Sequence, residues 1–518
     1  MRYFNVAGPC NSSDHYMIDA STRLLGVEQL IDMKQYFVIH AARQSGKTTC
    51  LLDMTLRLNA QGKYHAVYCS LEGLQGIDDA KEGIPLIVKC IKQALHTCNI
   101  PKNELFAKDA DYSNFAGVLH VEFTKYCGLL DKPLILFFDE ADCLYGDTII
   151  SFLRQLRSGY INRMLAPFVH SVALVGMRNI RDYKALIRSE RETLGSASPF
   201  NIVTKAMTLN NFTKEEVASL YQQHTKETGQ IFEKEAVDMV YEQTQGQPWL
   251  VNAIAREVVI EMLAFDHTKP VTPSLVWQAI QTIILRRDTH IDSLLERLKE
   301  ERVRRVIEPM VSGDVFFDHL SDDYQYVTDL GLIHNIKGKI QPSNPIYAEV
   351  IARTLSYDAQ ETFILEKPNA VIPAYLKEGK LDVDSLLLEF QQFWREHSAI
   401  WLDRFAYREA APHLILQAFL QRVINGGGDI IREMAAGTGR TDLCLVYEGQ
   451  KYPIELKIRR GDKTLTQGIE QTMQYMDTFG CTQGWLVIFD RRPQVEWDDK
   501  IFVQKETKEG KTVTVFAM

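Results

Sequence analysis

The stretch that decides the fold of the N-terminal half reads Tyr36-Phe37-Val38-Ile39-His40-Ala41-Ala42-Arg43-Gln44-Ser45-Gly46-Lys47-Thr48. Its first four residues form a short, strongly apolar run, which is typical of a buried strand. The spacing from Ala41 to Thr48 matches the phosphate-binding loop G-x-x-x-x-G-K-S/T, with Ala41 in place of the first glycine. Residues 49–58 then have the pattern of the helix that such a loop requires. This order of strand, loop and helix predicts a nucleotide site at Lys47.

The residues of this loop have separate expected roles. Backbone N–H groups would surround the β-phosphate at the N-terminus of the following helix. Gly46 would allow the phosphate to approach closely, Lys47 would supply positive charge, and Thr48 would ligate Mg²⁺. The alternative is a chance turn before a helix, which the flanking strand and helix disfavour. The expected ATP-binding residues of this segment are Ala42, Arg43, Gln44, Ser45, Gly46, Lys47, Thr48 and Thr49.

A second part of a nucleotide site follows the apolar run 134–138, which ends in Asp139 and Glu140. We expect Asp139 to hold the Mg²⁺ shell together with Thr48, and Glu140 to polarise the attacking water. Two acids after a strand could instead only solvate its end. The letters Asp139-Glu140-Ala141-Asp142 also spell a helicase signature. A helicase of that class needs a second core with its own arginine motif, and the downstream sequence has no such core.

Further cationic and amide side chains could complete this nucleotide site. The apolar run 172–175 leads to Arg178 and Asn179, where a γ-phosphate sensor commonly lies. We include Arg178 among the expected nucleotide-binding residues, and the alternative that these two residues only cap a strand end stays open. The candidates for an arginine finger are Arg154, Arg157 and Arg163.

Four short apolar runs alternate with longer helical stretches in the N-terminal part. This alternation predicts a parallel sheet flanked by helices, an α/β fold. The runs are residues 36–39, 66–70, 133–138 and 171–177. From about residue 210 the strands stop, and helical periodicity predicts a helical lid. Its helical segments are residues 214–226, 233–243 and 249–264.

Beyond the lid, two helix-like stretches precede a predicted hairpin formed by residues 324–327 and 332–340, an order that fits a winged helix. Residues 357–384 mix prolines, a glycine and charges without periodicity, which suits a linker. A separate α/β domain then begins. The expected domains are an ATPase core at 1–208, a lid at 209–286, a winged helix at 287–356, a linker at 357–384 and a last domain at 385–518.

The last domain carries a second chemical centre. Asp442 leads into the apolar run 443–447, a turn at 448–450 and a second run that ends in Glu455-Leu456-Lys457, so we expect a β-hairpin. Side chains alternate along a strand, which puts Glu455 and Lys457 on one face, and pairing can bring Asp442 alongside. Two carboxylates held together favour a shared Mg²⁺ or Mn²⁺. With Lys457 to orient or deprotonate water, this centre suits phosphodiester hydrolysis.

A Glu-x-Lys sequence alone has almost no specificity, because alternating charges are routine on an exposed strand. The upstream aspartate and a downstream Gln-x-x-x-Tyr helix strengthen it, and a non-cutting relative of the same fold stays an alternative. Basic residues beside the centre could bind a phosphate backbone. They are Lys451, Lys457, Arg459, Arg460 and Lys463. Residues 296–305 interleave basic and acidic side chains, so we interpret them as a salt-bridged helix rather than a DNA contact.

Composition and charge limit the possible class, compartment and partners of the protein. The 518 residues, 46% hydrophobic and 24% charged, form an ordinary globular composition. A net charge of −9 argues against coating nucleic acid through the overall field, so any nucleic-acid site must be a local patch. Nine cysteines without paired C-x-x-C spacing indicate a reduced compartment, and no uncharged run is long enough to cross a membrane. We therefore expect a cytoplasmic protein without a membrane partner.

The N-terminal motifs together resemble bacterial AAA-like ATPases and the related signal-transducing, STAND-like NTPases over about residues 1–355. The motifs are the loop, Phe137-Phe138-Asp139-Glu140, Val175-Gly176-Met177-Arg178 and Thr244-Gln245-Gly246-Gln247-Pro248. The resemblance implies a P-loop fold that binds ATP and a Gly-x-Pro turn, Gly246 to Pro248, near the nucleotide. A plain helix-starting turn is the alternative. The resemblance also implies that Arg23 and residues 15–25 border the adenine.

The C-terminal centre resembles the PD-(D/E)XK nuclease superfamily over about residues 385–500. Gln471-Thr472-Met473-Gln474-Tyr475 is similar to the Gln-x-x-x-Tyr element of its RecB-like members. Thr441 stands where the family name has proline, a commonly variable position. The resemblance implies catalytic roles for Glu409 on a first helix, Asp442, Glu455, Lys457 and Gln471, with Asp442 and Glu455 as metal ligands.

The two resemblances imply an ATP-controlled, metal-dependent DNA endonuclease. Its cofactors would be ATP and Mg²⁺, with Mn²⁺ as a substitute at the nuclease centre. Fused ATPase–nuclease systems imply a role in bacterial defence against foreign DNA. The expected partners are DNA, a trigger protein or nucleic acid, and further copies of the chain. The alternative is a regulatory NTPase that senses a partner and binds but does not cut nucleic acid. A third is an ATPase with a structural tail.

Overall fold

The structure is a computed structural model, and it describes most of the chain. The described residues are 2–176, 203–311, 321–336, 339–351, 354, 376–377, 380–404, 412, 415–417, 419–420, 428–436, 439–447, 449–459, 461, 463–490, 492 and 495–518. Arg178, Asn179, Glu409 and most of the expected linker lie outside them. The chain divides into two compact units. The first is residues 1–293, 318–334 and 342–346, and the second is residues 294–317, 335–341 and 347–518.

The first unit is built on a five-stranded sheet in which all neighbouring strands are parallel. The strands are β1 (Tyr36–His40), β2 (His65–Ser70), β3 (Leu134–Asp139), β4 (Ser171–Gly176) and β5 (Val203–Thr208). They lie in the order β2-β3-β4-β1-β5. The predicted parallel α/β sheet is confirmed. β5 is not among the four predicted strands, because its sequence includes a lysine and two threonines rather than a continuous apolar run.

Hydrophobic cores cover both faces of this sheet. Along β3, Leu134, Leu136 and Phe138 pack into one core, whereas Ile135 and Phe137 pack into another. The helices are α1 (Ala20–Arg23), α2 (Val27–Asp32), α3 (Lys47–Gln61), α4 (Ala80–Thr97), α5 (Val118–Leu129) and α6 (Gly146–Asn162). Residues of α4 to α6 fill the first core, and residues of α2 and α3 fill the second. Burial on both faces explains why these strands are continuous apolar runs.

A helical segment follows β5 and is called the lid below. Its helices are α7 (Lys214–Thr228), α8 (Lys234–Thr244), α9 (Pro248–Arg256) and α10 (Pro273–Arg286), and α9 continues into a π-helix, Glu257–Met262. A capping box begins α7, since Thr213 and Glu216 each accept a hydrogen bond from the other's backbone N–H. The same helix ends at Gly229, whose φ of 81° is left-handed. Such local signals make these helix ends readable from sequence.

After the lid come α11 (Thr289–Leu298), α12 (Glu301–Val311) and α13 (Asp322–Asp329), then the paired strands β6 (Ile333–Ile336) and β7 (Lys339–Pro342). The prediction of a strand at residues 324–327 is wrong, because they lie within α13. Ser321 caps this helix by accepting a hydrogen bond from Tyr324 N, and Gln325 donates to Asp329 one turn later. These helical contacts outweigh the β propensity of the residues. The winged-helix assignment stays a prediction.

The second unit contains a six-stranded mixed sheet. Its strands are β10 (Gly428–Ala436), β11 (Gly439–Tyr447), β12 (Gln450–Ile458), β13 (Gln483–Phe489), β14 (Phe502–Lys508) and β15 (Lys511–Ala517), and a separate small sheet pairs β8 (Leu376–Lys377) with β9 (Lys380–Leu381). The order in the large sheet is β10-β11-β12-β13-β15-β14. β11 and β12 form an antiparallel hairpin where the sequence predicted one. β12, β13 and β15 run parallel.

The helices α14 (Val383–Arg404), α15 (Lys463–Phe479) and α16 (Trp497–Lys500) belong to the same unit as this sheet. Met476 of α15 packs in one core with Leu486 of β13 and Val515 of β15. This packing fixes the helix that carries Gln471. Elsewhere, the nine cysteines are free thiols. In the described ranges, no helix is long and apolar enough to cross a membrane.

Candidate functional site

The predicted phosphate loop runs from the end of β1 into the first turn of α3. Lys47 is the first residue of that helix and is buried, and its Nζ donates hydrogen bonds to the carbonyl oxygens of Ala41 and Ala42, each at 3.0 Å. These bonds hold the ammonium group against the start of the loop. The charge of Lys47 therefore adds to the positive potential that the helix dipole creates at an N-terminus.

Side chains from other elements hold two carbonyl groups of the loop. Arg23 Nη1 donates to Ser45 O at 2.8 Å, and Gln247 Nε2 donates to Gln44 O at 3.4 Å. In a planar trans peptide, the C=O and the following N–H point in opposite directions. The N–H groups of Ser45 and Gly46 therefore point away from Arg23 and Gln247. With the N-terminus of α3 they form a set of donors suited to an anion.

The surroundings of Gly46 and Ser45 indicate whether a phosphate fits at this loop. Gly46 has a φ of 90°, and a Cβ at this position would come within 2.9 Å of Arg23 Nη1, so a side chain would be strained and crowded. The Ser45 hydroxyl is buried and has no hydrogen-bond partner among the described residues. Buried polar groups are normally paired, and a phosphate oxygen at the loop would supply a partner. The residues present therefore fit a nucleotide phosphate.

Asp139 is the last residue of β3 and is almost completely buried. Its Oδ2 accepts hydrogen bonds from Thr48 Oγ1 at 2.7 Å and Tyr68 OH at 3.1 Å, and its Oδ1 accepts one from Glu140 N at 3.0 Å. Burial, followed by the charge of Asp139, raises the pKa of Tyr68, so this phenol stays a neutral donor. A hydroxyl beside an oriented carboxylate fits Mg²⁺ bound with a nucleotide.

Glu140 has a left-handed backbone with a φ of 54°. Such a conformation costs about 1–3 kcal/mol in a non-glycine residue and is common at functional sites. Burial raises the pKa of the Glu140 carboxyl, and the charges of Asp142 and Asp139 raise it further, whereas Lys47 lowers it. A carboxylate with a raised pKa is a stronger base. The geometry and charge of Glu140 therefore suit the predicted polarisation of water.

The lid reaches the phosphate loop at a turn centred on Gly246. This residue has a φ of 70°, and an added Cβ would lie 1.9 Å from Phe212 O. Phe212 N also donates to Gly246 O at 2.8 Å, so the two backbones are in direct contact. Gln247 contacts the loop, and the buried Pro248 begins α9. The structure thus brings the Gly-x-Pro turn to the phosphate loop, and its contact with a nucleotide stays a prediction.

Arginines predicted near the nucleotide have different positions. Besides Ser45 O, Arg23 donates to Asn210 O, and its guanidinium lies 4.9 Å from the ring centroid of Phe212. It joins the phosphate loop to the start of the lid. Arg163 donates to Lys34 O, which precedes β1 and so lies at the end of that strand away from the loop. The other two arginine-finger candidates, Arg154 and Arg157, are on α6.

Three contacts at this site were not predicted from the sequence. Tyr68 reaches Asp139 from the neighbouring strand, and its only sequence signal is a polar group near the end of β2. His290 Nδ1 lies 2.6 Å from Gln44 Oε1, and Arg43 Nη1 donates to Ser293 Oγ at 2.8 Å. The last two contacts join residues about 250 positions apart in the chain. No local pattern can identify such partners.

Glu455 and Lys457 of the predicted nuclease centre are in contact on β12. Glu455 is 2% exposed, and Lys457 Nζ donates to Glu455 Oε1 at 2.6 Å. Pairing of β11 with β12 begins with Leu443 opposite Ile454, so Asp442 and Glu455 are the next residues on the two strands. The described part of Asp442 is its backbone. Its role as a second carboxylate stays a prediction.

Gln471, predicted to be catalytic, lies on α15. Its Oε1 is buried and has no hydrogen-bond partner among the described residues. Within the described part of the chain, no group of three or more His, Cys, Asp or Glu side chains is placed to hold a metal ion. Of the predicted nuclease carboxylates, only the Glu455 side chain is among the described residues. A metal ion at the nuclease centre would also need Asp442 or Glu409, whose side chains are not among the described residues.

A second buried carboxylate of this sheet is Asp490, directly after β13. Arg492 Nη2 lies 2.6 Å from Asp490 Oδ2, and Arg459 Nη1 lies 3.5 Å from the same oxygen. Burial raises the pKa of Asp490, but hydrogen bonds and charge from Arg492 more than offset this effect, so the pKa is below its usual range. Arg459 belongs to the predicted basic patch. Its ion pair reduces the charge that it can offer to a phosphate backbone.

Comparison with solved structures found matches at low sequence identity. A Walker-type ATPase of Pyrococcus abyssi is 12% identical over 67% of this chain and 99% of its own, with a TM-score of 0.48. The RuvB Holliday junction branch migration motor of Thermotoga maritima is 13% identical over 64% of this chain and 92% of its own, with a TM-score of 0.33. The ORC1 protein of Aeropyrum pernix, in complex with DNA, is 12% identical over 68% of this chain and 94% of its own, with a TM-score of 0.36.

No curated protein matches this chain. A family model described as an AAA-like domain matches residues 10–352, which include the phosphate loop, Asp139, Glu140 and the lid. The match covers more than half of the 518 residues, and it confirms the AAA-like part of the predicted resemblance. The resemblance of residues 385–500 to nucleases lies beyond the match and stays a prediction. The chain belongs to the AAA-like domain family.

Proposed function

We propose that the chain is a P-loop ATPase whose nucleotide state controls a metal-dependent DNA endonuclease centre in its C-terminal sheet. The contact between Thr48 and Asp139, beside the buried Lys47, carries the nucleotide part. The buried contact between Glu455 and Lys457 supports the nuclease part. Family membership supports the first part only.

In the nucleotide site, the residues of this chain have distinct proposed roles. The N–H groups of Ser45 and Gly46 and the ammonium group of Lys47 bind phosphate oxygens, while Thr48 and Asp139 hold Mg²⁺. When bound, Mg²⁺ neutralises charge on the β- and γ-phosphates. Glu140 accepts a hydrogen bond from the attacking water and orients it, which its raised pKa favours.

In the C-terminal centre, Glu455 is the proposed metal ligand within the described residues, and Asp442 and Glu409 are the further acids. A bound metal ion lowers the pKa of water and stabilises charge on the phosphate under attack. Lys457 orients the water beside Glu455. The Oε1 of Gln471 is buried without a hydrogen-bond partner among the described residues, and its proposed role is to accept a hydrogen bond from that water.

The proposed substrate is DNA, and the proposed role is bacterial defence against foreign DNA in the cytoplasm. Further copies of the chain and a trigger protein or nucleic acid are the proposed partners. These statements rest on the resemblance to fused ATPase–nuclease systems. A regulatory NTPase that binds nucleic acid without cutting it is the second candidate.

DNA cleavage and ATP turnover, measured on the same full-length preparation, test both parts. The protein is incubated with plasmid and linear DNA and ATP, with Mg²⁺, Mn²⁺ or EDTA. We expect metal-dependent cutting that falls by about 10²–10³-fold in Lys457→Ala, the usual effect of losing one group that stabilises the transition state. ATP turnover in this variant should stay within about threefold of wild type, since Lys47 and Asp139 are unchanged.

Two controls make the outcome specific. Lys508→Ala removes an exposed lysine from β14 of the same sheet, outside the predicted basic patch, and should keep cutting, whereas Lys47→Ala should lose nucleotide binding. Absence of cutting with either metal ion would contradict the nuclease part. DNA binding without cutting would favour the second candidate, and unchanged turnover in Lys47→Ala would contradict the nucleotide part.

A further inference from the structure

The phosphate loop has an additional anchor on the first turn of α11. His290 Nδ1 lies 2.6 Å from Gln44 Oε1, and Ser293 Oγ accepts a hydrogen bond from Arg43 Nη1 at 2.8 Å. Residues three positions apart share one face of a helix. One face of this turn therefore contacts two successive residues of the loop.

Gln44 is the residue of the loop that most needs external support. Its φ of 56° lies in the left-handed region, which costs a non-glycine residue about 1–2 kcal/mol. Such a conformation persists only where the surroundings hold it. Gln247 binds the carbonyl oxygen of Gln44, and His290 binds its side chain. Both supports come from outside the loop.

The surroundings of His290 fix its ring and its protonation. It is 5% exposed, and its ring stacks on Trp249 with centroids 5.0 Å apart and planes 18° apart. Trp249 is itself tied to the N-terminal segment, because its Nε1 donates to Val6 O at 2.9 Å. Burial, followed by the charge of Arg43, lowers the pKa of His290 to about 3. The imidazole is therefore neutral at cellular pH, and with Gln44 Oε1 as acceptor its Nδ1 is the donor.

We propose that His290 is a positioning residue of the nucleotide site, acting through Gln44. The hydrogen bond from His290 keeps Gln44 in the left-handed conformation, and this conformation directs the N–H groups of Ser45 and Gly46 toward a bound phosphate. Nucleotide affinity thus depends on the docking of the first turn of α11. This inference rests on the proposed nucleotide function and adds a determinant of phosphate affinity to it.

Equilibrium binding of ADP with Mg²⁺ to the full-length protein tests this role. His290→Phe keeps an aromatic ring against Trp249 but removes the donor, and it should weaken ADP binding about fivefold, the effect of losing one buried hydrogen bond. His290→Asn keeps an N–H near the position of Nδ1 and should bind within about twofold of wild type. Gln44→Met removes the acceptor of the same hydrogen bond at a half-buried side chain, and it should weaken ADP binding about as much as His290→Phe does. It therefore tests the proposal even if His290→Phe fails to fold.

A control and a double variant separate positioning from general stability. His267→Phe changes another histidine of the first unit and should leave ADP affinity unchanged, whatever its melting temperature. The double variant Gln44→Met, His290→Phe should bind no more weakly than either single variant, because both remove the same hydrogen bond. Wild-type affinity in Gln44→Met or in a folded His290→Phe, or multiplied effects in the double variant, would overturn the positioning role. If wild type and Lys47→Ala bind ADP equally, the proposed nucleotide function fails instead.

Discussion

Asp139 and Glu140 are adjacent residues whose surroundings give them different properties. Three donors orient the Asp139 carboxylate, so it is prepared for one fixed ligand position. Burial and neighbouring carboxylates raise the pKa of Glu140, and its backbone is left-handed. A fixed acceptor beside a more basic carboxylate is what metal binding and water activation require of two neighbouring acids.

Glu140→Gln should therefore keep nucleotide binding and lose turnover. The amide preserves the size of the side chain and leaves Lys47, Thr48 and Asp139 unchanged, so ATP affinity should change by less than about threefold. Turnover should fall by about 10²–10⁴-fold, the range for loss of a general base. Steady-state ATP hydrolysis and equilibrium ATP binding measure the two effects. Glu72→Gln, at a nearby exposed acid, is the control, and normal turnover in Glu140→Gln would remove Glu140 from the mechanism.

Single residues of the loop could be predicted because the motif is local. Lys47, Thr48 and the loop glycine follow one another in sequence, and β3 marks Asp139 by the apolar run before it. Tyr68 and His290 could not be predicted, because each acquires its role from a partner on another element. The Glu455–Lys457 contact was accessible from the sequence, since alternate residues of one strand share a face.

At the scale of elements, the close approach of the lid to the loop depends on a glycine. Gly246 lies against the backbone of Phe212 with a φ of 70°, and Gln247 directly after it reaches the loop. A turn of this kind fixes where α9 begins. The wrong prediction at residues 324–327 also has a local cause. Their tyrosines and valine indicated a strand. The cap at Ser321 instead begins a helix there.

Gly246→Ala should destabilise the protein more than Gly229→Ala does. Both glycines are left-handed, so alanine should cost about 1–2 kcal/mol at either position. A Cβ at Gly246 would also collide with Phe212 O, whereas one at Gly229 meets no atom within 4 Å. Overpacking of this kind adds about 1–3 kcal/mol. Denaturant unfolding followed by circular dichroism compares the two variants. An equal loss of unfolding free energy in the two variants would show that the turn at Gly246 accommodates a Cβ without strain.

At the scale of the whole molecule, the two proposed centres belong to different compact units. The loop, Asp139, Glu140 and Gln247 are in the first unit, and Glu455, Lys457 and Gln471 are in the second. The parallel sheet and the C-terminal hairpin could be predicted, because apolar runs and hairpin spacing are local patterns. The division into these units could not, because residues 294–346 contribute to both in alternating segments. Control of one centre by the other requires that nucleotide favours one of two states with different nuclease activity.

The rate of plasmid cleavage by the full-length protein, with and without ATP, tests this control most directly. We predict a change of about 5–150-fold between the two conditions in wild type, the usual range of coupling between sites. Lys47→Ala should cut at one rate in both conditions, since it no longer binds ATP, and Asp442→Ala should hydrolyse ATP within about threefold of wild type without cutting. Equal cleavage by wild type with and without ATP, together with normal cutting by Lys47→Ala, would contradict the account and leave two independent activities in one chain.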